Sequence, residues 1–228
     1  MIFGGFEKFT LIDYPSKMAS MVYTIGCNFR CPYCHNPELV DETVEHTWSE
    51  KEILEFLKKR KGMLDGLVIT GGEPTMHKDL PAFVKKVKKL GYLVKLDSNG
   101  TNPKMLEQLI RAGLVDYIAM DVKAPLSKYK ETVSHPVDTQ AIRKSIDLIM
   151  ASEIPYEFRT TLVRALTSPK DIIKIGKEIK GATRYYLQKF VPTKILNPQF
   201  LRKTTYSDQE LKVLQKQLNH YVQYCGIR

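Results

Sequence analysis

The 228-residue sequence contains no apolar run of the about 18 consecutive residues that a membrane-spanning helix requires. We also expect no secretory signal, because Gly4, Gly5 and Glu7 stand where a basic segment followed by an apolar segment would be needed. No linker, low-complexity tract or sequence repeat divides the chain. We therefore expect a cytoplasmic protein that folds as one domain over residues 1–228.

Cysteine is scarce: the chain has four, at positions 27, 31, 34 and 225. Three of them fall within a span of eight residues, which does not suit a disulfide framework. Clustered thiols in a chain without a secretion signal are typical of metal binding or redox chemistry. Four thiolates hold at most one four-iron cluster with all-cysteine ligation, so a second such cluster is excluded.

Acidic residues are fewer than basic ones, 25 against 35, which gives a formal net charge of +10. This excess permits a nucleic acid or an acidic protein as partner. Much of it lies at 58–61 and 85–89, in segments typical of solvated helix faces, and no nucleic-acid-binding motif accompanies it. We therefore expect no nucleic-acid partner.

Short runs rich in β-branched and aromatic residues alternate with helical segments and predict six buried strands. The strands are Ser20–Ile25, Gly66–Thr70, Tyr92–Leu96, Tyr117–Asp121, Tyr156–Val163 and Arg184–Phe190. Capping-box patterns at 49–52 and 207–210, and a proline directly after Ser168, mark helix starts. This alternation predicts an α/β fold with a parallel sheet and outer helices, either open and doubly wound or curled as a partial barrel.

The predicted core covers about residues 19–190. We expect an irregular N-terminal segment over 1–18, a second irregular stretch over 193–205, and a C-terminal helix at about 207–223. In proteins with a parallel sheet of this kind, active-site residues lie at the carboxyl ends of the strands. Polar or glycine-rich residues follow the first three predicted strands. The active face therefore lies at this end of the sheet.

The strongest chemical signal is a C-x3-C-x2-C loop after the first strand, Cys27-Asn-Phe-Arg-Cys31-Pro-Tyr-Cys34. Its three thiolates can reach a single metal centre. On a cubane cluster they would leave one iron without a protein ligand, which suits chemistry on a substrate better than electron storage. A zinc site with His35 as the fourth ligand is the alternative.

This loop resembles the cluster motif of the radical S-adenosylmethionine enzymes, in which an aromatic residue such as Tyr33 precedes the third cysteine. A second motif of that family, GGEP, is matched by Gly71-Gly72-Glu73-Pro74 after the second strand. The resemblance implies a partial (β/α)6, TIM-like barrel. It also implies one [4Fe–4S] cluster held by Cys27, Cys31 and Cys34, with S-adenosylmethionine on the fourth iron.

The GGEP segment has a physical role in such a site. Gly71 and Gly72 have no side chains to obstruct a ligand, so their backbone N–H and C=O groups can face the methionine amine and carboxylate of the cofactor. Glu73 could accept a hydrogen bond from the ammonium. The alternative is a tight turn between strand and helix.

Further segments narrow the resemblance to the activating enzymes of glycyl-radical proteins. They are Leu11-Ile-Asp-Tyr-Pro15, Asp97-Ser-Asn-Gly100 and Met120-Asp-Val-Lys123. The match implies that Asp97, Ser98 and Asp121 hold a monovalent cation beside the cofactor carboxylate, with Lys123 as a cofactor contact. Alternatively, Asp97 caps its turn and Asp121 pairs with Lys123.

Two later strands supply weaker candidates. Arg159 alternates with Glu157 and Thr161 and could meet the carboxylate or ribose of the cofactor, or form an ion pair with Glu157 or Asp121. Gln188 is a candidate for the adenine end. Cys225 is expected to be a spare thiol.

The resemblance implies an enzyme that takes one electron from a low-potential donor such as flavodoxin or ferredoxin. It would cleave S-adenosylmethionine to a 5′-deoxyadenosyl radical and install a glycyl radical on a partner, most specifically anaerobic ribonucleotide reductase. A pyruvate formate-lyase-type activase and a small enzyme acting on a deazapurine-like molecule are alternatives. A zinc-stabilised nucleic-acid-binding module is the non-enzymatic alternative.

Overall fold

The computed structural model describes residues 1–228 and contains one nine-stranded sheet in the order β3-β1-β2-β4-β5-β6-β7-β8-β9. Seven strands, β2 and β4 to β9, run parallel, whereas β1 is antiparallel to both β2 and β3. The strands are β1 Ile2–Thr10, β2 Ala19–Thr24, β3 Trp48–Ser49, β4 Gly66–Gly71, β5 Leu93–Ser98, β6 Tyr117–Asp121, β7 Tyr156–Leu162, β8 Tyr185–Lys189 and β9 Cys225–Ile227.

Helices connect successive parallel strands and cover the sheet. They are α1 Pro37–Val40, α2 Glu50–Lys59, α3 Leu80–Lys89, α4 Pro103–Arg111, α5 Tyr129–Val133, α6 Thr139–Ala151, α7 Pro169–Glu178 and α8 Asp208–Leu218. None of these helices has the length and apolarity needed to cross a membrane. The α/β fold class and the six predicted parallel strands are confirmed, with boundaries that differ by at most two residues.

The helix starts follow from local side-chain chemistry. Ser49 and Ser207 form the predicted capping boxes with Glu52 and Glu210, and Ser168 caps α7 ahead of its first-turn proline. Each cap satisfies N–H groups that the first helical turn leaves without a partner. The apolar faces of the helices then bury residues such as Ile53 and Leu57 against the sheet.

The expectation of an irregular segment over 1–18 was wrong, because Ile2–Thr10 forms β1. Adjacent glycines are poor strand formers, so the sequence pattern concealed this strand. Position 4 requires a glycine, because a Cβ there would lie 2.5 Å from Leu39 Cδ2. The close packing of β1 against α1 therefore explains why a glycine stands within this strand.

The chain after the predicted core also differs from expectation. The stretch 193–205 includes a short 3-10 helix, Pro198–Arg202, and the C-terminal helix ends at Leu218. Beyond it, Cys225–Ile227 adds β9 beside β8. Three residues carry too little periodicity to be recognised as a strand from sequence.

Candidate active site

One cavity lies at the carboxyl ends of β2 and β4 to β7. Twelve of the thirteen predicted site residues line it: Cys27, Cys31, Tyr33, Cys34, Gly71, Gly72, Glu73, Asp97, Ser98, Asp121, Lys123 and Arg159. The exception is Gln188, which is paired in register with the cavity residue Thr161 but does not itself line the cavity. The topology therefore brings residues from five strand ends to one place.

The cysteine loop is held in position by backbone hydrogen bonds at both ends. The Gly26 N–H donates to Leu39 O over 2.7 Å, and the Cys34 N–H donates to Cys31 O over 3.0 Å. Leu196 N–H also donates to Cys34 O over 2.9 Å. The stretch 193–205 therefore helps to fix the loop that carries the thiols.

The three thiols of this loop are shielded from solvent: Cys31 is buried, and Cys27 and Cys34 are partly buried. Burial raises the pKa of Cys27 to about 11 and of Cys31 to about 12, and it also raises the pKa of Cys34. Lys123 opposes all three shifts, since its positive charge favours the thiolates. Three soft sulfur ligands at one cavity, beside a cation that favours their ionised form, fit an iron–sulfur cluster.

A zinc site fits these residues less well. The His35 Nε2 atom, which would have to ligate zinc, lies 2.8 Å from the carbonyl oxygen of Val191. No three His, Cys, Asp or Glu side chains converge on the position of a single metal ion. A cubane cluster binds each thiolate at a different iron and does not require such convergence.

Gly71 and Gly72 are required by backbone packing. A Cβ on Gly72 would lie 1.9 Å from Gly26 O, and Gly71 has a φ of +111° that side chains disfavour. The Gly72 N–H, expected to face the cofactor, donates instead to Thr24 O over 2.9 Å. The two glycines thus let the GGEP segment pack directly against the start of the cysteine loop.

Glu73 joins the ends of two strands. Its side chain is 1% exposed; Oε1 accepts from the Thr75 N–H at 3.0 Å and from the Ser98 hydroxyl at 2.9 Å, and Oε2 accepts from the Asn99 N–H at 2.6 Å. Burial raises the pKa of Glu73, while these hydrogen bonds oppose the shift. The carboxylate therefore clamps the segment after β5 to the segment after β4.

This arrangement predicts that Glu73→Gln destabilises the fold. Each carboxylate oxygen accepts from a backbone N–H, so either orientation of the glutamine amide places its NH2 group against a donor. We expect a loss of about 1–3 kcal/mol in the free energy of unfolding, measured by chemical denaturation. Glu153→Gln, at an exposed position, is the matched control. Equal stability of the two variants would contradict the clamp.

A chain of buried charges crosses β5, β6 and β7. Arg159 bridges two aspartates, with Nε 2.9 Å from Asp121 Oδ1 and Nη1 3.1 Å from Asp97 Oδ2. The remaining oxygens bond lysines: Lys95 Nζ lies 2.5 Å from Asp97 Oδ1, and Lys123 Nζ lies 2.9 Å from Asp121 Oδ2. Of the two ion pairs considered for Arg159, the one with Asp121 is present.

Electrostatics keep both aspartates ionised despite their burial. Burial alone would raise the pKa of Asp97 and of Asp121, but the Arg159 guanidinium and the neighbouring lysines hold both below the ordinary value of 3.8. The Asp121 carboxylate raises the pKa of Lys123 against the effect of burial. The site is thus a fully charged network.

The predicted monovalent-cation site does not fit this network. All four oxygens of Asp97 and Asp121 already contact cationic nitrogens. The third predicted ligand, Ser98, donates its hydroxyl to Glu73 and accepts from the Gly100 N–H. None of the expected oxygen ligands is therefore directed at a common cation position.

Sequence reasoning missed several residues of the site. Thr70, Asn99 and Thr161 also line the cavity, and Lys95 contacts the cavity residue Asp97. A signal for Lys95 existed: it stands two residues before Asp97 in a strand, which places both side chains on one face. A lysine at that position of a buried strand indicates a buried partner.

The cavity also suits a nucleoside-sized ligand with polar groups. About 870 Å³ of space free of protein atoms lies inside the cavity and at its open mouth, part of it open solvent, and polar groups from five strand ends line it. The Tyr33 hydroxyl is buried at its wall without a hydrogen-bond partner. Such a group is rare unless a ligand or water satisfies it. The cavity thus fits S-adenosylmethionine beside a cluster on the three thiols.

Comparisons with known proteins agree with this site. A protein of Methanocaldococcus jannaschii, provisionally named a glycyl-radical enzyme activating enzyme, is 36% identical over 98% of this chain and 94% of its own length. The pyruvate formate-lyase-activating enzyme of Streptococcus mutans is 30% identical over 76% of this chain and 70% of its own. A 7-carboxy-7-deazaguanine synthase of Halobacterium salinarum is 28% identical over 78% and 70%.

The fold is similar to that of a radical S-adenosylmethionine methyltransferase from Sphaerobacter thermophilus, with a TM-score of 0.71 at 14% identity. The match covers 96% of this chain and 68% of that one. In sequence, the Radical SAM superfamily matches residues 21–175, which are more than half of the 228 residues and include the thiol loop, the GGEP segment and the charged strand ends. This protein therefore belongs to the radical S-adenosylmethionine superfamily of enzymes, whose cofactors are a [4Fe–4S] cluster and S-adenosylmethionine.

Proposed function

We propose that this enzyme installs a glycyl radical on a partner protein, and that anaerobic ribonucleotide reductase is the first partner to test. The observation that carries the proposal is the likeness to the Methanocaldococcus jannaschii activating enzyme over nearly the whole of both chains. The likeness to the Streptococcus mutans enzyme supports it. The segments at 97–100 and 120–123 that resemble the activases lie at the cavity.

The open edges of the sheet support the proposal that the substrate is a macromolecule. β3 and β9 are its two free edges, so the strands do not close into a ring around the cavity. A loop of a partner protein could enter at this side. The net charge of +10 favours a partner with an acidic docking surface, because opposite charges speed encounter and orient the two proteins.

In this proposal, the side chains at the cavity bind the two cofactors and hold them in position. Cys27, Cys31 and Cys34 would hold the cluster, and Lys123 favours their thiolate form. Arg159 keeps Asp97 and Asp121 ionised at the cavity wall. When bound, the cofactors supply the hydrogen-atom abstraction, and the protein supplies position and electrostatics. A low-potential donor such as flavodoxin or ferredoxin would deliver the electron.

The test is electron paramagnetic resonance on the cluster-loaded enzyme mixed anaerobically with a reductant, S-adenosylmethionine and the ribonucleotide reductase encoded in the same genome. We expect a glycine-centred doublet that requires both proteins. Each radical should consume one electron and one S-adenosylmethionine and release one methionine and one 5′-deoxyadenosine. Without the reductase, cleavage should be slow and the doublet absent.

A second candidate function has support from the likeness to 7-carboxy-7-deazaguanine synthase. That function requires a small substrate inside the cavity instead of a protein at its open side. Turnover of a deazapurine precursor without formation of a glycyl radical would favour it and overturn the proposal. Membership of the radical S-adenosylmethionine superfamily indicates an enzyme, and this excludes the alternative of a zinc-stabilised nucleic-acid-binding module.

A further inference from the structure

Lys95 is a buried lysine that the cofactor assignment does not explain. Its side chain is 2% exposed and lies in β5 between Val68 of β4 and Tyr117 of β6. Its one hydrogen bond goes to Asp97 Oδ1, at 2.5 Å. Burying an ammonium group costs several kcal/mol, so a lysine placed here points to a role for its charge.

The charge balance of the network indicates that role. Lys95, Arg159 and Lys123 contribute three positive charges against the two carboxylates of Asp97 and Asp121, so the five side chains carry one net positive charge. Two further acidic groups lie near the network: Glu73 accepts hydrogen bonds from the segments after β4 and β5, and Glu157 pairs with Arg228. One carboxylate of a ligand would neutralise the network, whereas an added alkali cation would increase its buried charge.

We propose that the Lys95 ammonium is a built-in cation that replaces a bound alkali ion at Asp97 and Asp121. As a result, this enzyme binds S-adenosylmethionine without any dependence on potassium or sodium. Lys95 is a positioning residue: it acts through Asp97, which Arg159 links to Asp121. The inference rests on cofactor binding by this family member and is independent of the proposed partner.

The first test measures equilibrium binding of S-adenosylmethionine to the cluster-loaded wild-type enzyme without a protein substrate. Binding is compared in buffers of equal ionic strength that contain only choline, or potassium, or sodium as the monovalent cation. We expect affinities that agree within about twofold, because all four oxygens of Asp97 and Asp121 already contact cationic nitrogens. A marked gain in affinity with potassium or sodium would overturn the proposal, even if no variant folds.

The second test uses Lys95→Met, which keeps the approximate length of the side chain and removes its charge from Asp97. In choline, we expect S-adenosylmethionine to bind at least about tenfold more weakly, because Asp97 then lacks its nearest positive charge. Potassium or sodium should restore most of that loss by occupying the vacated position. Restoration by an ion is a response that loss of an ordinary structural ion pair would not give.

Lys88→Met is the matched control. Lys88 pairs with Asp116 at 2.6 Å outside the cavity, so its loss removes a partly buried lysine–aspartate pair without touching the network. We expect unchanged affinity and no response to alkali ions. A Lys95→Met variant that binds weakly in every buffer, or as well as the wild type in choline, would show that Lys95 is only a structural partner of Asp97.

Discussion

Alanine at Cys27, Cys31 or Cys34 is expected to abolish the iron–sulfur cluster and, with it, all cleavage of S-adenosylmethionine. These three cysteines are the thiols that line the cavity. As proposed ligands of a cubane cluster, they leave only two protein ligands when one is removed, and we expect such a cluster to be lost. Iron per protein should fall from about four to near zero, and the charge-transfer absorbance of the cluster should disappear. Iron analysis and visible spectra of anaerobically reconstituted protein provide the measurement.

Cys225→Ala is the control for this result. Cys225 is buried in β9 and does not line the cavity, so its removal should leave the iron content unchanged. Loss of the cluster in this variant would overturn the ligand assignment. So would stoichiometric zinc without iron in the wild-type protein.

Arg159→Met is expected to cause the largest loss of stability among the variants considered. Arg159 is 13% exposed and is the residue that bonds both Asp97 and Asp121. Without it, two buried carboxylates keep only one lysine each and repel one another. Breaking a buried ion pair from one side costs about 3–5 kcal/mol, and we expect a loss of this size in the free energy of unfolding at pH 7.

The pH dependence of this loss distinguishes an electrostatic cause from a packing defect. Both aspartates have folded-state pKa values below the ordinary 3.8, so their ionisation stabilises the wild-type fold above that pH and the contribution disappears as the pH falls through the folded values. The difference between wild type and Arg159→Met should therefore shrink from pH 7 to below pH 4. A difference that is constant with pH would indicate lost packing instead.

Arg111→Met provides the comparison for an exposed pair. Arg111 is 79% exposed and contacts Glu107 one helical turn away. Such pairs contribute about 0.3–0.5 kcal/mol, so this variant should unfold almost like the wild type. Denaturant titration of both variants under the same conditions measures the contrast.

The sequence alone predicted the parts of this protein that are local. Alternation of apolar runs and capping signals gave the six parallel strands and the helix starts at Ser49, Ser168 and Ser207, because hydrogen bonding and burial of each element depend on residues close in the chain. The spacing of the three cysteines predicted that their thiols lie close together, because all three belong to one short loop, and all three line the same cavity. Parallel strands then bring their carboxyl ends together whatever the details of packing.

Tertiary structure alone decided the features that depend on neighbours distant in the chain. The segment Ile2–Thr10 is a strand because it pairs with β2 and β3. Gly4 is a glycine because Leu39 packs against it, and Gly72 is a glycine because Gly26 O approaches it. Lys95 meets Asp97 within one strand, but only the register of β5, β6 and β7 places Arg159 between Asp97 and Asp121. Charge–charge energies vary steeply with distance and burial, and neither quantity can be read from a sequence, so the balance of charge at the site became visible only in the fold.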